Sequence, residues 1–270
     1  MKISVITTFY NSGSTIVDTL LSVFSSKFKN VEYILIDSLS TDSSLEIVKK
    51  IALTKDNVKI ISEKDSGIYD GMNKGIEHAT GEIICILNAD DFLEEDSLEH
   101  VSAIFKANPN LDLFAGSIRM VDEENNRIIE LPRTRYSPLK KNSPAIHHPG
   151  IFVHRRVYEK IGFFNLKYKI SADYEFISRF LDHKLKFIES DKIVTNVRTG
   201  GCSDSIRNLI KKNLEHYEIA SKYTVSFPSK IILAIKIFKK TTIHFIYLQT
   251  SKRSVSGVRK SINELRWFNC

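Results

Sequence analysis

The sequence predicts an α/β fold, with a mostly parallel sheet flanked by helices and a helical C-terminal extension. Apolar runs of strand length alternate with runs of helical spacing over the first third of the chain. Polar and acidic side chains follow the end of each strand-like run. The composition agrees, since 270 residues with 42% apolar and 26% charged side chains suit a globular protein with a sizeable core.

The first half of the chain contains four predicted strands and three predicted helices. The strands cover residues 2–8, 31–37, 57–62 and 82–88. The helices, with apolar residues three or four positions apart, cover residues 14–26, 42–52 and 69–79. Strands and helices that alternate at this spacing indicate βαβ units, whose strands pair in parallel.

The second half is less regular. Residues 111–153 are β-like and interrupted by prolines, and helices are predicted near 155–161 and 172–183. Short strands follow near 185–189 and 193–198. The pair Gly200-Gly201 marks the expected boundary. We therefore divide the chain into a domain of residues 1–200, with halves 1–110 and 111–200, and a helical tail of residues 201–270.

The net charge is concentrated in the tail. Residues 201–270 hold 13 Lys and Arg against 4 Asp and Glu, a balance of +9, whereas the whole chain carries +7. Residues 1–200 are therefore slightly acidic, at −2, and the tail suggests an anionic surface as partner. The three cysteines show no C-x-x-C spacing, which disfavours a zinc or redox motif and fits a reducing compartment.

The sequence predicts a cytoplasmic protein at the inner face of the cell membrane. The N-terminal apolar run is too short for a signal peptide, and no uncharged apolar stretch reaches spanning length. Residues 228–248 combine apolar surface with four lysines, as in a helix that lies on an anionic membrane face. Packing of this helix on the domain of residues 1–200, or on a second copy of the chain to give a homo-oligomer, stays open.

Polar residues collect where the predicted parallel strands end, which is where α/β sheets bind ligands. They are Thr8 to Asn11, Asp37-Ser38, Glu63 to Asp65, and Asn88-Ala89-Asp90-Asp91. The last group has two adjacent carboxylates, the ligands that magnesium and manganese combine with substrate phosphates. A helix cap is the competing interpretation of that pair.

Taken together with the run from Glu63 to Ile76, these motifs resemble the family 2 glycosyltransferases of the GT-A fold over roughly residues 1–200. The resemblance implies a nucleotide-sugar donor bound by residues 1–110 and an acceptor bound by residues 111–200. It also implies a Mn2+ or Mg2+ cofactor, which neutralises the donor diphosphate as leaving group.

The resemblance implies roles for the donor-side residues. Thr8 and Tyr10 occupy the loop that touches the nucleotide, and Asp37 the position of a carboxylate that holds the base or ribose. Asp65 occupies the position that contacts uracil, which an acceptor-only carboxylate suits. Lys74 lies beside the donor site, with a solvated helix lysine as the equal alternative.

The acidic pair matches the D-x-D-like motif of the family. Asp91 is implied as the direct metal ligand, and Asp90 as the contact to ribose or metal-bound water. Two positions depart from the common pattern. Asn88 replaces the first aspartate, as in similar members, and Leu39 stands where a small residue is usual, which leaves that turn undefined.

The acceptor half carries the implied catalytic base. Asp173 aligns with the family carboxylate at the start of a helix, and one base acting in a direct displacement inverts the anomeric centre. A carboxylate favoured by the helix dipole is the structural alternative. His148 matches a histidine near the acceptor or diphosphate, against a loop or core histidine. Arg198, before Gly200-Gly201, could close over the diphosphate or belong to a linker.

The sequence therefore predicts a metal-dependent, inverting glycosyltransferase that uses a UDP-sugar. Its acceptor is a saccharide or lipid-linked saccharide in polysaccharide biosynthesis. A sugar-nucleotide nucleotidyltransferase is disfavoured because the loop from Phe9 to Gly13 lacks a cation. A non-catalytic membrane-associated scaffold is disfavoured by the intact carboxylates. No nucleic-acid-binding motif accompanies the basic tail, so nucleic acid is not expected as a partner.

Overall fold

The computed structural model describes residues 1–122, 127–131, 148–199 and 206–223. Within these ranges nine strands form one sheet. They are β1 Ile3–Phe9, β2 Val31–Asp37, β3 Val58–Ser62, β4 Ile83–Ile86, β5 Phe92–Leu93, β6 Leu113–Asp122, β7 Arg127–Leu131, β8 Ile151–His154 and β9 Phe187–Arg198. The helices are α1 Ile16–Phe24, α2 Ser44–Ala52, α3 Ile68–His78, α4 Ser97–Ala107, α5 Arg155–Ile161, α6 Ala172–Asp182 and α7 Ile206–Tyr223.

The strand order is β3-β2-β1-β4-β8-β6-β9-β5, and β7 pairs with β6 outside this path. The first four strands in this order are parallel, as the alternation of strands and helices predicts. Beyond β4 the sheet is mixed, because β8 runs antiparallel to both β4 and β6 while β9 is parallel to β6. The α/β prediction is therefore confirmed, with the parallel pairing concentrated in the N-terminal half.

One strand replaces the two that the sequence predicts near 185–189 and 193–198. β9 is continuous, but its register against β6 shifts, so that Ala115 pairs with Glu189 and Ser117 with Ile193. The extra residues on β9 form a bulge that contains the polar pair Asp191-Lys192. This polar interruption of the apolar pattern made one bulged strand look like two.

The sheet separates two hydrophobic cores, because successive strand residues face opposite sides. In β1, Ile6 packs with α3, α5 and α6 on one face, whereas Val5 packs with α1, α2 and α4 on the other. Both side chains are fully buried. Burial of one such side chain stabilises the fold by roughly 1.5–3 kcal/mol.

Two glycines allow α3 to lie directly against β1. A Cβ atom on Gly75 would be 2.2 Å from Cγ2 of Ile6, and one on Gly71 would be 3.0 Å from Cγ2 of Thr8. Gly67, with φ of 129°, forms the turn that starts α3. The glycine spacing in this segment therefore brings the start of α3 close to the end of β1, where the candidate site lies.

The predicted tail begins with a helix that packs on the domain. Ile219 of α7 is fully buried in the same core as Phe176 and Phe180 of α6. The predicted amphipathic segment 228–248 lies outside the described residues, as does the expected boundary at Gly200-Gly201. In the part of the chain that the structure describes, no helix combines the length and apolar character that crossing a membrane requires.

Candidate active site

The parallel strands bring the predicted donor-side residues to one edge of the sheet. Thr8 and Phe9 end β1, and the register pairs Phe9 with Asp37 at the end of β2. Asp37 in turn pairs with Ser62 at the end of β3. The acidic segment 88–91 follows β4, which pairs with β1 on its other side. The strand alternation predicted that these residues share one edge of the sheet, and the strand order adds which of them are neighbours.

Asp37 is fully buried, and both of its carboxylate oxygens bind neighbouring loops. One accepts a 3.0 Å hydrogen bond from the Ser40 amide and the other a 2.6 Å hydrogen bond from the Ser62 hydroxyl. Leu39, inside this turn, has a left-handed φ of 61°, which explains why a small residue is usual there. In this structure Asp37 holds the two loops together, and contact with a nucleotide stays a prediction.

Asp65 and Thr8 lie side by side under the start of α3. Both approach the same point, since a Cβ atom on Gly71 would be 3.0 Å from Thr8 Cγ2 and 3.1 Å from Asp65 Oδ2. Ser38 and the Gly67 amide donate hydrogen bonds to the Asp65 carboxylate. The buried Thr8 hydroxyl has no partner among the described residues. This spot therefore offers a fixed carboxylate beside an unsatisfied hydroxyl.

Tyr10 and Lys74 differ in their exposure and in their contacts. The Tyr10 side chain is 58% exposed on the loop after β1, where a planar ring could pack on it. The Lys74 ammonium contacts the Lys64 carbonyl oxygen at 2.6 Å and the Glu63 carboxylate at 2.9 Å. The hydrogen bond to Glu63 raises the pKa of Lys74. The lysine thus anchors the loop after β3, and its contact with the donor stays a prediction.

The carboxylates of Asp90 and Asp91 follow β4 in very different environments. Asp91 is 1% exposed, whereas Asp90 is half-buried. Asp91 accepts hydrogen bonds from the Asn88 side chain at 2.9 Å and from the Arg198 amide at 3.2 Å. Burial, reinforced by the charge of Asp90, nevertheless raises the pKa of Asp91 to about 7. A buried carboxylate of this kind is stabilised by a cation.

Arg198 supports the acidic turn from the end of β9. Its guanidinium donates a 2.9 Å hydrogen bond to the Asp90 carbonyl oxygen and pairs with the Asp18 carboxylate of α1. It also lies 5.1 Å from the centre of the Phe92 ring. In this structure Arg198 is a brace for the Asp90–Asp91 turn. The sequence pointed to its charge but not to this role.

Asp173 lies at the start of α6, across from the donor side. Its carboxylate accepts a 2.9 Å hydrogen bond from Tyr69 in the first turn of α3. The same phenol oxygen is 2.9 Å from the Ile170 carbonyl oxygen. Burial and the Asp173 charge raise the Tyr69 pKa well above its usual range, so the phenol remains protonated. Tyr69, which the sequence did not single out, therefore connects α3 to the predicted base.

A cavity of about 160 Å³ opens beside Asp173. Its walls come from a 3₁₀ turn, α6 and α7, and they comprise His148, Ile170, Asp173, Tyr174, Ile177, Lys212 and His216. The His148 ring packs edge-on against Phe164 at 5.8 Å. Burial lowers the pKa of His148 despite the nearby Asp173 charge, so its imidazole is neutral at pH 7. His147, its predicted neighbour, lies outside the described residues.

Helix α7 supplies one wall of this cavity, which the sequence did not predict. Lys212 and His216 are one helical turn apart and face the same side. The His216 ring stacks on Tyr174 with ring centres 4.4 Å apart. A lysine and a histidine on one helix face were the available signals, but a single sequence does not show which helix that face meets.

The fold is that of an α/β protein with a cluster of carboxylates at the ends of its parallel strands. The family model for glycosyl transferase family 2 matches residues 4–199. Because this match covers well over half of the chain, the protein belongs to glycosyl transferase family 2. The resemblance inferred from the motifs is thereby confirmed.

One individual relative agrees with this assignment. The PGL/p-HBAD biosynthesis glycosyltransferase of Mycobacterium bovis (strain BCG / Pasteur 1173P2) is 35% identical over 149 residues, which are 54% of this chain. The chain spans 56% of the length of that relative.

Two solved structures share the fold. Staphylococcus aureus TarS in complex with UDP-GlcNAc has a TM-score of 0.65 at 19% identity, covering 88% of this chain and 72% of that one. The mannosyltransferase PcManGT of Pyrobaculum calidifontis, in complex with GDP-Man and Mn2+, has a TM-score of 0.66 at 18% identity, covering 98% and 79%. The GT-A-like fold class is therefore confirmed.

Proposed function

We propose that this protein transfers a sugar from a nucleotide-diphosphate donor to a hydroxyl of a saccharide or lipid-linked acceptor, with inversion at the anomeric carbon. The observation that carries the proposal is the buried carboxylate of Asp91, which lies beside Asp90 at the end of a central parallel strand. The membership of the protein in glycosyl transferase family 2, and the relatives it resembles, support the same activity.

The acidic pair fits a divalent cation. Burial and the Asp90 charge disfavour ionised Asp91, and a bound Mn2+ or Mg2+ would reverse that preference. The described residues contain no group of three or more His, Cys, Asp or Glu that could enclose a metal. One or two carboxylates with donor phosphates are the usual magnesium ligands, so Asp91 and Asp90 suffice. The cation would neutralise the departing diphosphate.

The donor nucleotide fits the spot formed by Thr8, Tyr10 and Asp65. The fixed carboxylate of Asp65 accepts from N–H or hydroxyl groups, and the unsatisfied Thr8 hydroxyl needs a polar partner. The exposed Tyr10 ring offers a face for a nucleobase. Uracil has an N–H group that can donate to Asp65, and the family resemblance puts Asp65 at a position that contacts uracil, so we expect a UDP-sugar. Of the two solved structures that share the fold, TarS is bound to UDP-GlcNAc and PcManGT to GDP-Man.

Asp173 suits the role of general base. The acceptor hydroxyl oxygen attacks the anomeric carbon, the bond to the diphosphate oxygen breaks, and the hydroxyl proton passes to the Asp173 carboxylate. A single displacement of this kind inverts the anomeric configuration. The cavity beside Asp173 gives the acceptor hydroxyl access to this carboxylate.

The walls of that cavity suit a sugar that is linked to a negatively charged phosphate group. The stacked Tyr174 and His216 rings offer an aromatic surface for a sugar, and Lys212 offers a cation for a phosphate. A lipid-linked saccharide has both groups, which supports this acceptor class and a polysaccharide pathway. We place the enzyme at the cytoplasmic face of the cell membrane, held there by the basic tail of residues 201–270.

The proposal is tested by thermal unfolding of the full chain with UDP-, GDP-, dTDP- and CMP-sugars, each with MnCl2 and with EDTA. We expect one nucleotide class, UDP, to raise the melting temperature with manganese only, and Asp91→Ala to abolish the rise. The matched control is Asp122→Ala, on the half-buried end of β6. Folded protein that responds to no donor would contradict the proposal and favour the scaffold alternative.

A further inference from the structure

The carboxylate of Glu215, on α7, binds the chain immediately before α6. It is only 9% exposed and accepts three backbone hydrogen bonds. One oxygen accepts from the Lys169 amide at 3.0 Å. The other accepts from the Ile170 amide at 3.0 Å and the Ser171 amide at 2.9 Å. A side chain 44 to 46 residues further along the chain thus satisfies the three amides that immediately precede α6.

These bonds hold the segment that leads into α6, and of the amides at the helix start they satisfy that of the N-cap residue Ser171. Ser171 is the N-cap residue of α6, but its side chain makes no capping bond, and its hydroxyl is unsatisfied among the described residues. The first amides of a helix have no partner within the helix. A carboxylate that accepts several amides also gains from the positive end of the helix dipole. Glu215 therefore fixes the position and direction of the first turn of α6.

Asp173 lies in that first turn, two residues after Ser171. Its backbone follows directly from the amides that Glu215 holds, and Tyr69 holds its side chain from the opposite element, α3. A base must lie within hydrogen-bond reach of the hydroxyl that it deprotonates. Small displacements of a catalytic group reduce the rate strongly, by roughly 100-fold for 1 Å.

We propose that Glu215 is a positioning residue for the base Asp173, which makes α7 a part of the catalytic unit. This inference rests on the proposed function. Glu215 acts through the backbone of residues 169–171 and does not touch the reacting atoms. The helix that begins the predicted basic tail then has a catalytic task separate from any contact that the rest of the tail makes.

Helix α7 has other anchors, so loss of the Glu215 carboxylate leaves it docked. Ile219 is fully buried in the core. Glu218 binds the side chains of Lys167 and Tyr168, and Tyr223 donates a 2.8 Å hydrogen bond to the buried Glu175. Glu218 is half exposed and touches none of the three amides, which makes it the matched control on the same helix.

The test compares full-length Glu215→Ala, Glu215→Gln and Glu218→Ala with the unsubstituted chain. Turnover is measured as nucleoside diphosphate released from the UDP-sugar, with water in place of the acceptor, and donor affinity is measured by calorimetry with MnCl2. Amide exchange is followed in the peptide that spans residues 168–174. We expect Glu215→Ala to lower kcat by roughly 10- to 100-fold, with donor Kd within twofold and faster exchange in that peptide.

Glu215→Gln should recover part of kcat, because one amide oxygen can still accept from Ile170 and Ser171 while its NH2 group opposes the Lys169 amide. Glu218→Ala should match the unsubstituted chain in kcat. Equal kcat in Glu215→Ala would overturn the inference, and so would parallel losses of kcat and donor affinity, which indicate general unfolding. A chain that binds no donor in any form would instead refute the proposed function, and the positioning role with it.

Discussion

The phenol oxygen of Tyr69 lies 2.9 Å from a carboxylate oxygen of Asp173, and this hydrogen bond joins the two sides of the candidate site. Tyr69 begins α3 only four residues after Asp65, which lies on the donor side. The Tyr69 side chain is almost completely buried, so its direction is fixed by packing. A change in the loop around Asp65 would therefore be transmitted to the predicted base.

Tyr69→Phe removes this hydrogen bond while it keeps the aromatic ring. A hydrogen bond to a charged group contributes roughly 1.5–3 kcal/mol, so we expect kcat to fall about tenfold or more through misplacement of Asp173. Donor affinity should change little, since the ring still packs on Phe164. Steady-state release of nucleoside diphosphate, together with calorimetry, measures both quantities.

The control for that experiment is Tyr33→Phe. Tyr33 is fully buried in the core on the other face of the sheet, and its hydroxyl pairs with Thr7 at 3.0 Å. Both substitutions remove one buried phenol oxygen, but only one of them touches Asp173. Equal losses of kcat in the two variants would mean that the Tyr69 effect is one of stability, not of base geometry.

Arg198→Ala should weaken metal-dependent donor binding. The variant loses the hydrogen bond to the Asp90 carbonyl oxygen, the ion pair with Asp18 and the contact with the Phe92 ring. The turn that follows β4 is then no longer braced. We expect roughly a tenfold higher donor Kd in MnCl2, in line with the loss of one charge-assisted hydrogen bond. Arg155→Ala, at a more exposed arginine on α5, should bind donor normally. An unchanged Kd in Arg198→Ala would contradict the bracing role.

Glu32 lies at the other end of the sheet, and its lowered pKa makes the stability of the fold depend on pH. Burial opposes its ionisation, but hydrogen bonds from Lys2, Ser4 and Thr80 outweigh burial and lower its pKa from 4.5 to about 2. Because the folded-state pKa is the lower one, the stabilisation is complete above pH 4.5 and is lost as the pH falls towards 2.

Glu32→Gln should therefore lower the free energy of unfolding by roughly 2 kcal/mol at pH 7, and by progressively less below pH 4.5. Denaturant titrations at several pH values measure this difference. Glu77→Gln, at an exposed position on α3, serves as the reference. A deficit for Glu32→Gln that stays constant down to pH 2.5 would show that charge is not its origin.

The sequence predicts the edge of the sheet at which the carboxylates collect, because local patterns determine it. Buried strands that alternate with helices place Thr8, Asp37 and Asp91 at the same edge of a parallel sheet. Local patterns do not reveal which polar atoms bind each other. The carboxylate of Asp37 is occupied by Ser40 and Ser62, and this depends on how two loops meet.

The acceptor side was harder to predict because its contacts join distant segments. Glu215 meets residues 169–171 through the docking of α7 on α6, which no periodicity within α7 specifies. Glu215 does precede the buried Ile219 by one helical turn, so a carboxylate on the apolar face was the one local signal. The bulge in β9 was likewise set by its pairing with β6.

The most direct test of the proposed function is transfer by Asp173→Asn, with donor binding measured on the same samples. The substitution keeps the shape of the side chain but removes the proton acceptor, so we expect nucleoside diphosphate release to fall by roughly 100- to 10,000-fold. Calorimetry with the UDP-sugar and MnCl2 should give the Kd of the unsubstituted chain. Release at the unsubstituted rate would contradict Asp173 as the base, and with it the proposed mechanism.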